Sequence, residues 1–329
     1  MALGTQLIWG RTSAEFEKNN RLTGTATILL FFAGLIFSGF AISLLLLRQR
    51  FTWWRLFGVV IGSVGPLVSA YYGRREPTVV AILIVVLTRF FSTRKAVHPL
   101  LIYAAMAFAM LAIPAVGSYR SLVFEDRLED VGELDLVENF KTFINESSIL
   151  ELRNGAALIA STNIQGVYGF GTGYWNQMVH RFVPAQLLGR DFKDGLMIGQ
   201  ESATIYETKL ALNYEMSEGS TVTGMGDSYE QFGWFGWIFY LFLGVLFRTI
   251  WTAANQHGGI IAQLLYILTC TSAMRTVTHQ TTDFLPGLTY DLVFLTGAML
   301  YAKSRPTDPE SAGATAKQVS LKPVRGSKT

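Results

Sequence analysis

The chain has 329 residues, of which 50% are hydrophobic, 16% charged and 13% aromatic, with one cysteine and a formal charge of +3. A soluble domain carries roughly 25% charged residues, and its apolar residues fall on short periodic faces, whereas residues 25–47 and 98–116 here are nearly unbroken apolar runs. The composition excludes an ordinary soluble protein, and the lone Cys270 excludes a disulfide framework or a thiolate metal cluster. The expectation is an all-α, polytopic membrane helix bundle of about seven spans, with a large extracytoplasmic loop of short helices.

Residues 1–22 are too polar for a signal peptide and read as a surface segment or the remnant of a longer membrane region. Spans are predicted at 25–47, 56–72, 78–91, 98–116, 235–251, 260–274 and 288–302, placing four helices within 23–116 and three within 233–304. The 78–91 stretch is short and contains Arg89, so it is either a tilted span with a snorkelling arginine or a re-entrant segment. One orientation puts Arg48, Arg50, Arg55, Arg94, Lys95, Arg248 and the basic residues of the tail, Lys303 to Lys328, on the cytoplasmic side. It also puts residues 117–232 outside, with 17 Asp and Glu against 8 Lys and Arg. The tail at 305–329, rich in Ser, Ala, Lys and Pro, reads as a disordered cytoplasmic end. The expected location is a cell inner membrane, multi-pass, with the large loop periplasmic or extracellular.

Against this orientation, the turn Gly73-Arg74-Arg75-Glu76-Pro77 puts two arginines outside. They either solvate a turn, with Pro77 in the first turn of the next helix, or grip an anion, since a guanidinium matches phosphate oxygens bidentately and keeps its charge. In the long loop, 126–143 has near-helical spacing of Leu128, Val131, Leu134, Leu136, Val137 and Phe140 and predicts a surface helix with a solvated acidic face. Residues 150–162 predict an amphipathic helix packing on the bundle or on lipid. Gly166 to Trp175 interleaves four glycines with aromatics, which suits sugar faces or interfacial anchoring equally. No strand-turn-helix unit surrounds it, so a dinucleotide turn is excluded. His180-Arg181 and Gly189-Arg190-Asp191 follow, and then a glycine-rich run at 219–236 enters a helix without the Gly-Lys-Ser/Thr of a P-loop. Between the last two spans, spacings of four put Arg275, His279 and Asp283 on one face if the helix continues.

Taken together, Gly73-Arg74-Arg75-Glu76, Gly117-Ser118-Tyr119-Arg120, Arg181-Phe182-Val183-Pro184 and the 219–236 run with Asp227-Ser228-Tyr229-Glu230-Gln231-Phe232-Gly233 resemble the bacterial O-antigen and oligosaccharide repeat-unit polymerases, the Wzy group. The resemblance covers residues 71–244 and is most specific at 219–236. It implies a membrane glycosyltransferase that moves a glycan from an undecaprenyl-diphosphate carrier onto another lipid-linked unit at the outer face of the inner membrane. Members of the group generally have more spans, so this chain reads as a minimal member or as one lacking an upstream part.

A diphosphate leaving group calls for fixed positive charge, which points to Arg74, Arg75, Arg120, Arg181 and Arg275. An attacking sugar hydroxyl calls for a base, for which Asp227, Glu230 and His279 are the candidates. Tyr174, Trp175 and Tyr229 are the candidates for stacking on sugar. No Asp-x-Asp occurs in the chain, so metal-independent transfer without a cofactor is expected. The expected partners are the undecaprenyl-diphosphate-linked oligosaccharide, membrane lipid and a chain-length regulator, with no nucleic acid. Competing readings are an O-antigen ligase using the same donor, a lipid-linked glycan transporter, and a non-catalytic membrane subunit.

Overall fold

The computed structural model describes residues 31–145, 150–199, 203–216, 221–256 and 259–304. The expectations for residues 1–22 and 305–329, and for Gly219 and Ser220, lie outside them. Among the described residues all regular structure is helical: α1 (Leu35–Gln49), α2 (Trp53–Tyr71), α3 (Arg75–Thr93), α4 (Pro99–Phe124), α5 (Leu136–Asn145), α6 (Leu150–Gln165), α7 (Thr172–Phe182), α8 (Ala185–Leu188), α9 (Arg190–Leu196), α10 (Ala203–Leu212), α11 (Thr223–Phe232), α12 (Trp237–Gln256), α13 (Ile260–Thr278) and α14 (Phe284–Ser304). Short 3-10 turns sit at Leu128–Glu133, Gly233–Gly236 and Thr281–Asp283. The chain divides into two compact units at Asp291 and Leu292, and the described part of the second is the remainder of α14.

Among the described residues seven helices are long and apolar enough to cross a membrane. Their outward faces carry large apolar side chains, including Trp54 at 83%, Phe108 at 66% and Leu67 at 65% exposure. Apolar surface on this scale needs a hydrocarbon solvent, so the chain is a multi-pass membrane protein. The 78–91 stretch is a full span, because α3 extends to both sides of it. Every span runs past its apolar run at one end or both, and two of them start on a side-chain cap. Thr52 Oγ1 accepts from the Arg55 amide (3.4 Å) at the start of α2, and Arg55 Nη1 donates to the Leu46 and Arg50 carbonyls (2.8 and 3.0 Å), closing α1. At the start of α4 the His98 ring accepts from the Leu100 amide, with Pro99 at the first helical position.

Within the first unit α13 packs on α1, α3 and α12, and α1, α2 and α3 pack on one another. Ala41, Ile84, Ala254, Ile267 and Leu268 are buried there. One side of the bundle carries the α1–α2, α3–α4 and α12–α13 connections, tied by a hydrogen bond from Arg94 to Asn255. The other, here the loop side, carries the α2–α3 turn, residues 125–222 and the α13–α14 turn.

One expectation about the loop changes. The predicted surface helix at 126–143 divides, because Asp126 takes a left-handed conformation and Asp135 caps a new helix, its Oδ1 accepting from the amides of Val137 and Glu138 (2.8 and 3.0 Å). The 150–162 helix forms as expected and lies against α11, with Asn154, Gly155, Leu158, Ser161 and Thr162 buried. The 219–236 run leads into a span as expected: α11 stops at Gly233, where φ is +57°, and the 3-10 turn Gly233–Gly236 passes directly into α12 at Trp237.

The glycines of α11 are set by packing. A Cβ on Gly226 would stand 2.9 Å from Gly155 Cα, and one on Gly224 would fall on the Thr276 carbonyl of α13. Gly224→Ala is therefore expected to lower stability by about 1–3 kcal/mol through overpacking, read as a lower thermal midpoint of the purified protein in detergent. Gly244→Ala, in a helix with open space around it, is expected to leave the midpoint unchanged or slightly raised. Equal midpoints for the two variants would contradict the packing account.

Candidate functional site on the loop side of the bundle

The α2–α3 turn depends on Gly73, whose φ of +63° suits glycine and whose missing Cβ leaves room for Tyr119 and Val116 of α4. Arg74 caps α3, and Arg75, Glu76 and Pro77 form its first turn. Tyr119 Oη donates to the Tyr71 carbonyl (2.9 Å) and Arg120 Nη2 to the Gly73 carbonyl (3.0 Å). Gly117 to Arg120, expected just beyond a span, are therefore the last turns of α4, docked on the turn that carries the other two arginines.

The arginines have different surroundings. Arg75 lies within electrostatic reach of Arg120 and, with opposite sign, of Glu151, yet it makes no side-chain hydrogen bond or ion pair among the described residues. Arg275 binds Glu76 through Nε, so α13 is held to the first turn of α3. Arg275 and Arg181 both act on Asp291, which is 9% exposed on α14. The Arg181 guanidinium also stands 5.5 Å from the centre of the Tyr290 ring, a cation–π distance. Arg75 and Arg120 are thus like charges within electrostatic reach of each other, while Arg275 is paired with Glu76 and Arg181 lies over the Tyr290 ring. Arg190 is exposed at the start of α9.

The three candidate bases also separate. Asp227 is 4% exposed, and its Oδ2 accepts from the Thr281 amide (2.7 Å), the Thr282 amide (3.0 Å) and the Thr281 hydroxyl, with the Thr282 hydroxyl 3.5 Å from Oδ1. It caps the α13–α14 turn from a distant segment, replacing water with four donors. Glu230 is half-buried, and its backbone carbonyl accepts from the Gly169 amide (3.0 Å). His279 is half-buried at the end of α13, where its amide donates to the Arg275 carbonyl (2.8 Å) and its Nδ1 faces the Thr278 hydroxyl (2.8 Å). Its Nε2 has no hydrogen bond among the described residues. The helix stops at Thr278, so Arg275 and His279 stay one turn apart while Asp283 leaves that face and accepts from Gln280 instead (3.1 Å).

Of the aromatic residues, Tyr174 is in the core. Its ring packs on Phe232 and Phe239, with centroids at 5.9 and 5.6 Å, and its hydroxyl meets Thr281 Oγ1 (2.8 Å). Burial pushes the phenol far above its ordinary range, so it stays protonated. Trp175 is half exposed, with Nε1 donating to the Leu196 carbonyl (2.8 Å). Tyr229 donates to Asn163 (2.6 Å) and meets Tyr168 and Trp234 edge-on.

Sequence reasoning missed Gln231. Its side-chain oxygen accepts from the amides of Gly171 and Gly173 (3.2 and 3.1 Å), and Cβ atoms on Gly169 or Gly173 would collide with it. The glycines of 166–175 therefore admit a glutamine, and alternate glycines at 169, 171 and 173 were the signal for such a close approach. Asp291, Thr281 and Thr282 were likewise missed, because their partners lie far away in sequence.

No family model, curated protein or solved structure matches the chain. The chemistry of the site is argued from its residues. Asp227→Ala leaves two buried amides without an acceptor and is expected to cost about 2–6 kcal/mol, at roughly 1–3 kcal/mol for each unsatisfied group. Asp227→Asn keeps one carbonyl oxygen for them and is expected to retain most of the stability. Thermal unfolding of both purified variants checks the order, and an Asp227→Ala protein as stable as the wild type would contradict the capping role.

Proposed function

We propose that the protein is a glycosyltransferase that polymerises undecaprenyl-diphosphate-linked oligosaccharide repeat units at the outer face of the inner membrane, with the loop side outward and the C-terminus cytoplasmic. The observation that supports this reading best is the docking of Arg120 Nη2 on the Gly73 carbonyl (3.0 Å), which brings Arg120 to the turn that carries Arg74 and Arg75. Like charges brought to one turn repel, and a doubly charged phosphate group relieves the repulsion. Arg74 and Arg275 flank Arg75 and Arg120, and one turn beyond Arg275 is His279.

In the proposed reaction a hydroxyl of one lipid-linked unit attacks the anomeric carbon of the sugar attached to the diphosphate of another. The carbon–oxygen bond to the diphosphate breaks, undecaprenyl diphosphate leaves with the electron pair, and the hydroxyl proton passes to the His279 ring. Arg75 and Arg120 stabilise the charge that grows on the leaving group, and being already in place they need little reorganisation. Asp227 acts as a positioning residue: through Thr281 and Thr282 it fixes the turn that follows His279. Glu230 is the second candidate for the base, and Trp175 and Tyr229 are the aromatic residues with exposed or half-buried rings available to sugar. Membrane lipid and a chain-length regulator complete the proposed partners.

The reading is tested in a host that lacks its own polymerase and supplies the matching lipid-linked unit. Wild-type protein is expected to give a ladder of polysaccharide on a gel. Arg75→Ala and Arg120→Ala, expressed to the same level, are expected to lower the polymerisation rate by about 10²–10³-fold, the range for loss of one fixed charge-stabilising donor. A single attached repeat in place of a ladder would favour a ligase. Full ladders from both arginine variants would refute the proposed role of the pair.

A further inference from the structure

The glycine–aromatic turn at 166–173 is bound by its backbone to the segment that leads into α12. The Gly169 and Phe170 amides donate to the Glu230 and Gln231 carbonyls (3.0 and 2.8 Å), and the amides of Gly171 and Gly173 donate to Gln231 Oε1 (3.2 and 3.1 Å). The Thr172 amide and hydroxyl both donate to the Gly169 carbonyl (3.0 and 2.7 Å). Every amide from 169 to 173 thus has its acceptor inside the protein. A loop in water can leave such groups to solvent, whereas a loop in lipid cannot.

The side chains of the turn join a row of rings. Phe170 meets Tyr168 with centroids 6.0 Å apart, Tyr168 meets Tyr229 at 6.3 Å, and Tyr229 meets Trp234 at 5.8 Å. The two ends of the row are bare, with Phe170 77% and Trp234 84% exposed. Trp234 lies in the 3-10 turn that opens α12, where Trp237, Leu241 and Val245 continue along one exposed face of the span. Residues 166–179 and 231–247 contain no Asp, Glu, Lys or Arg. Near its far end α12 is tied through Asn255 to Arg94, at the end of α3. From Asn255 to Trp237 the helix rises about 27 Å at 1.5 Å per residue, close to the roughly 30 Å of a hydrocarbon core. The row of rings therefore stands at the boundary of the bilayer.

We propose that the 166–173 turn is a membrane anchor, with Phe170 and Trp234 seated between the headgroups and acyl chains on the loop side of the bilayer. The partner is the lipid surface itself, and continuity with the hydrocarbon-facing side of α12 selects it. The exposed side chains agree: Phe170, Trp234, Phe235 and Trp237 offer only two indole N–H groups among them. That is too few polar atoms to hold a glycan, while an amphipathic ring at the end of a span suits the interface. Gln231 takes the place of water for two amides of the turn, which lets the backbone enter the boundary without an unsatisfied donor. With no charge in the turn, anchoring is expected to be indifferent to the headgroup. Because Glu230 and Gln231 belong to α11, the anchor fixes that helix, and with it Asp227, close to the membrane surface. The inference stands apart from the reaction proposed above and does not depend on it.

The test uses the full chain in nanodiscs, with its one cysteine replaced by Cys270→Ser so that a single introduced cysteine carries a nitroxide label. Phe170→Cys and Trp234→Cys report on the row, Leu241→Cys on the lipid face of α12, and Glu138→Cys on α5; all four positions are exposed, so the labels leave the packing intact. Electron paramagnetic resonance compares collisions with oxygen, which concentrates in hydrocarbon, and with chromium oxalate, an anion. The ratio of oxygen to oxalate collisions is expected to be about tenfold higher at 170 and 234 than at 138, since a charged reagent is excluded from the acyl region. It is expected to approach the ratio at 241, in phosphatidylcholine and phosphatidylglycerol nanodiscs alike. A ratio at 170 equal to that at 138 would overturn the anchor. Protection of 170 from both reagents would overturn it too, by putting a protein surface there instead of lipid. Gln231→Ala is expected to admit chromium oxalate to position 170 while the ratio at 241 stays unchanged, the sign that the span is still folded. No change at 170 in that variant would overturn the part assigned to Gln231.

Discussion

A buried carboxylate must find donors or lose its charge, and Asp227 finds them in the turn between α13 and α14. That one requirement draws together segments far apart in sequence. It pins α11 to residues 281–282, and Thr281 in turn meets Tyr174 of α7. The turn follows directly on His279 and, one helical turn earlier, Arg275, which reaches across to Glu76 at the start of α3. Remove the carboxylate, and the relation between the glycine-rich helix and the arginine-bearing ends of the spans is no longer fixed.

Around that anchor the loop side sorts its charges. Arg275 pairs with Glu76 and ties α13 to α3, while Arg181 of α7 lies over the Tyr290 ring of α14. Arg75 and Arg120 are held by backbone contacts of their neighbours: Gly73 lets Tyr119 approach, and Arg120 spends one Nη on the Gly73 carbonyl. Fixed positive charge of this kind at a membrane end is the feature on which the proposed role of the two arginines rests.

The membrane bundle was legible in the sequence because long apolar runs need no knowledge of the tertiary structure. The span ends were not, since they depend on caps such as Thr52 and His98 and on the docking of Tyr119 and Arg120. The arginine turn at 73–76 was legible as an anomaly of charge. The roles of the glycines were not legible, since Gly224 and Gly226 serve helix contact and Gly169 and Gly173 admit Gln231. Asp227 was legible as a residue of interest, but its partners Thr281 and Thr282 lie 54 and 55 residues away, a separation that no local pattern encodes. Tyr174 shows the same limit, because whether an aromatic residue presents a face to sugar or to Phe232 is decided by packing.

The most direct measurement of the central claim is reconstitution of the purified chain in nanodiscs with the lipid-linked repeat unit as sole substrate, followed by mass spectrometry of all products in the presence of a metal chelator. The account predicts glycans longer by whole repeat units, with one undecaprenyl diphosphate released for each new linkage. Substrate returned unchanged by a folded protein, or glycan released as free oligosaccharide without a new linkage, would contradict it.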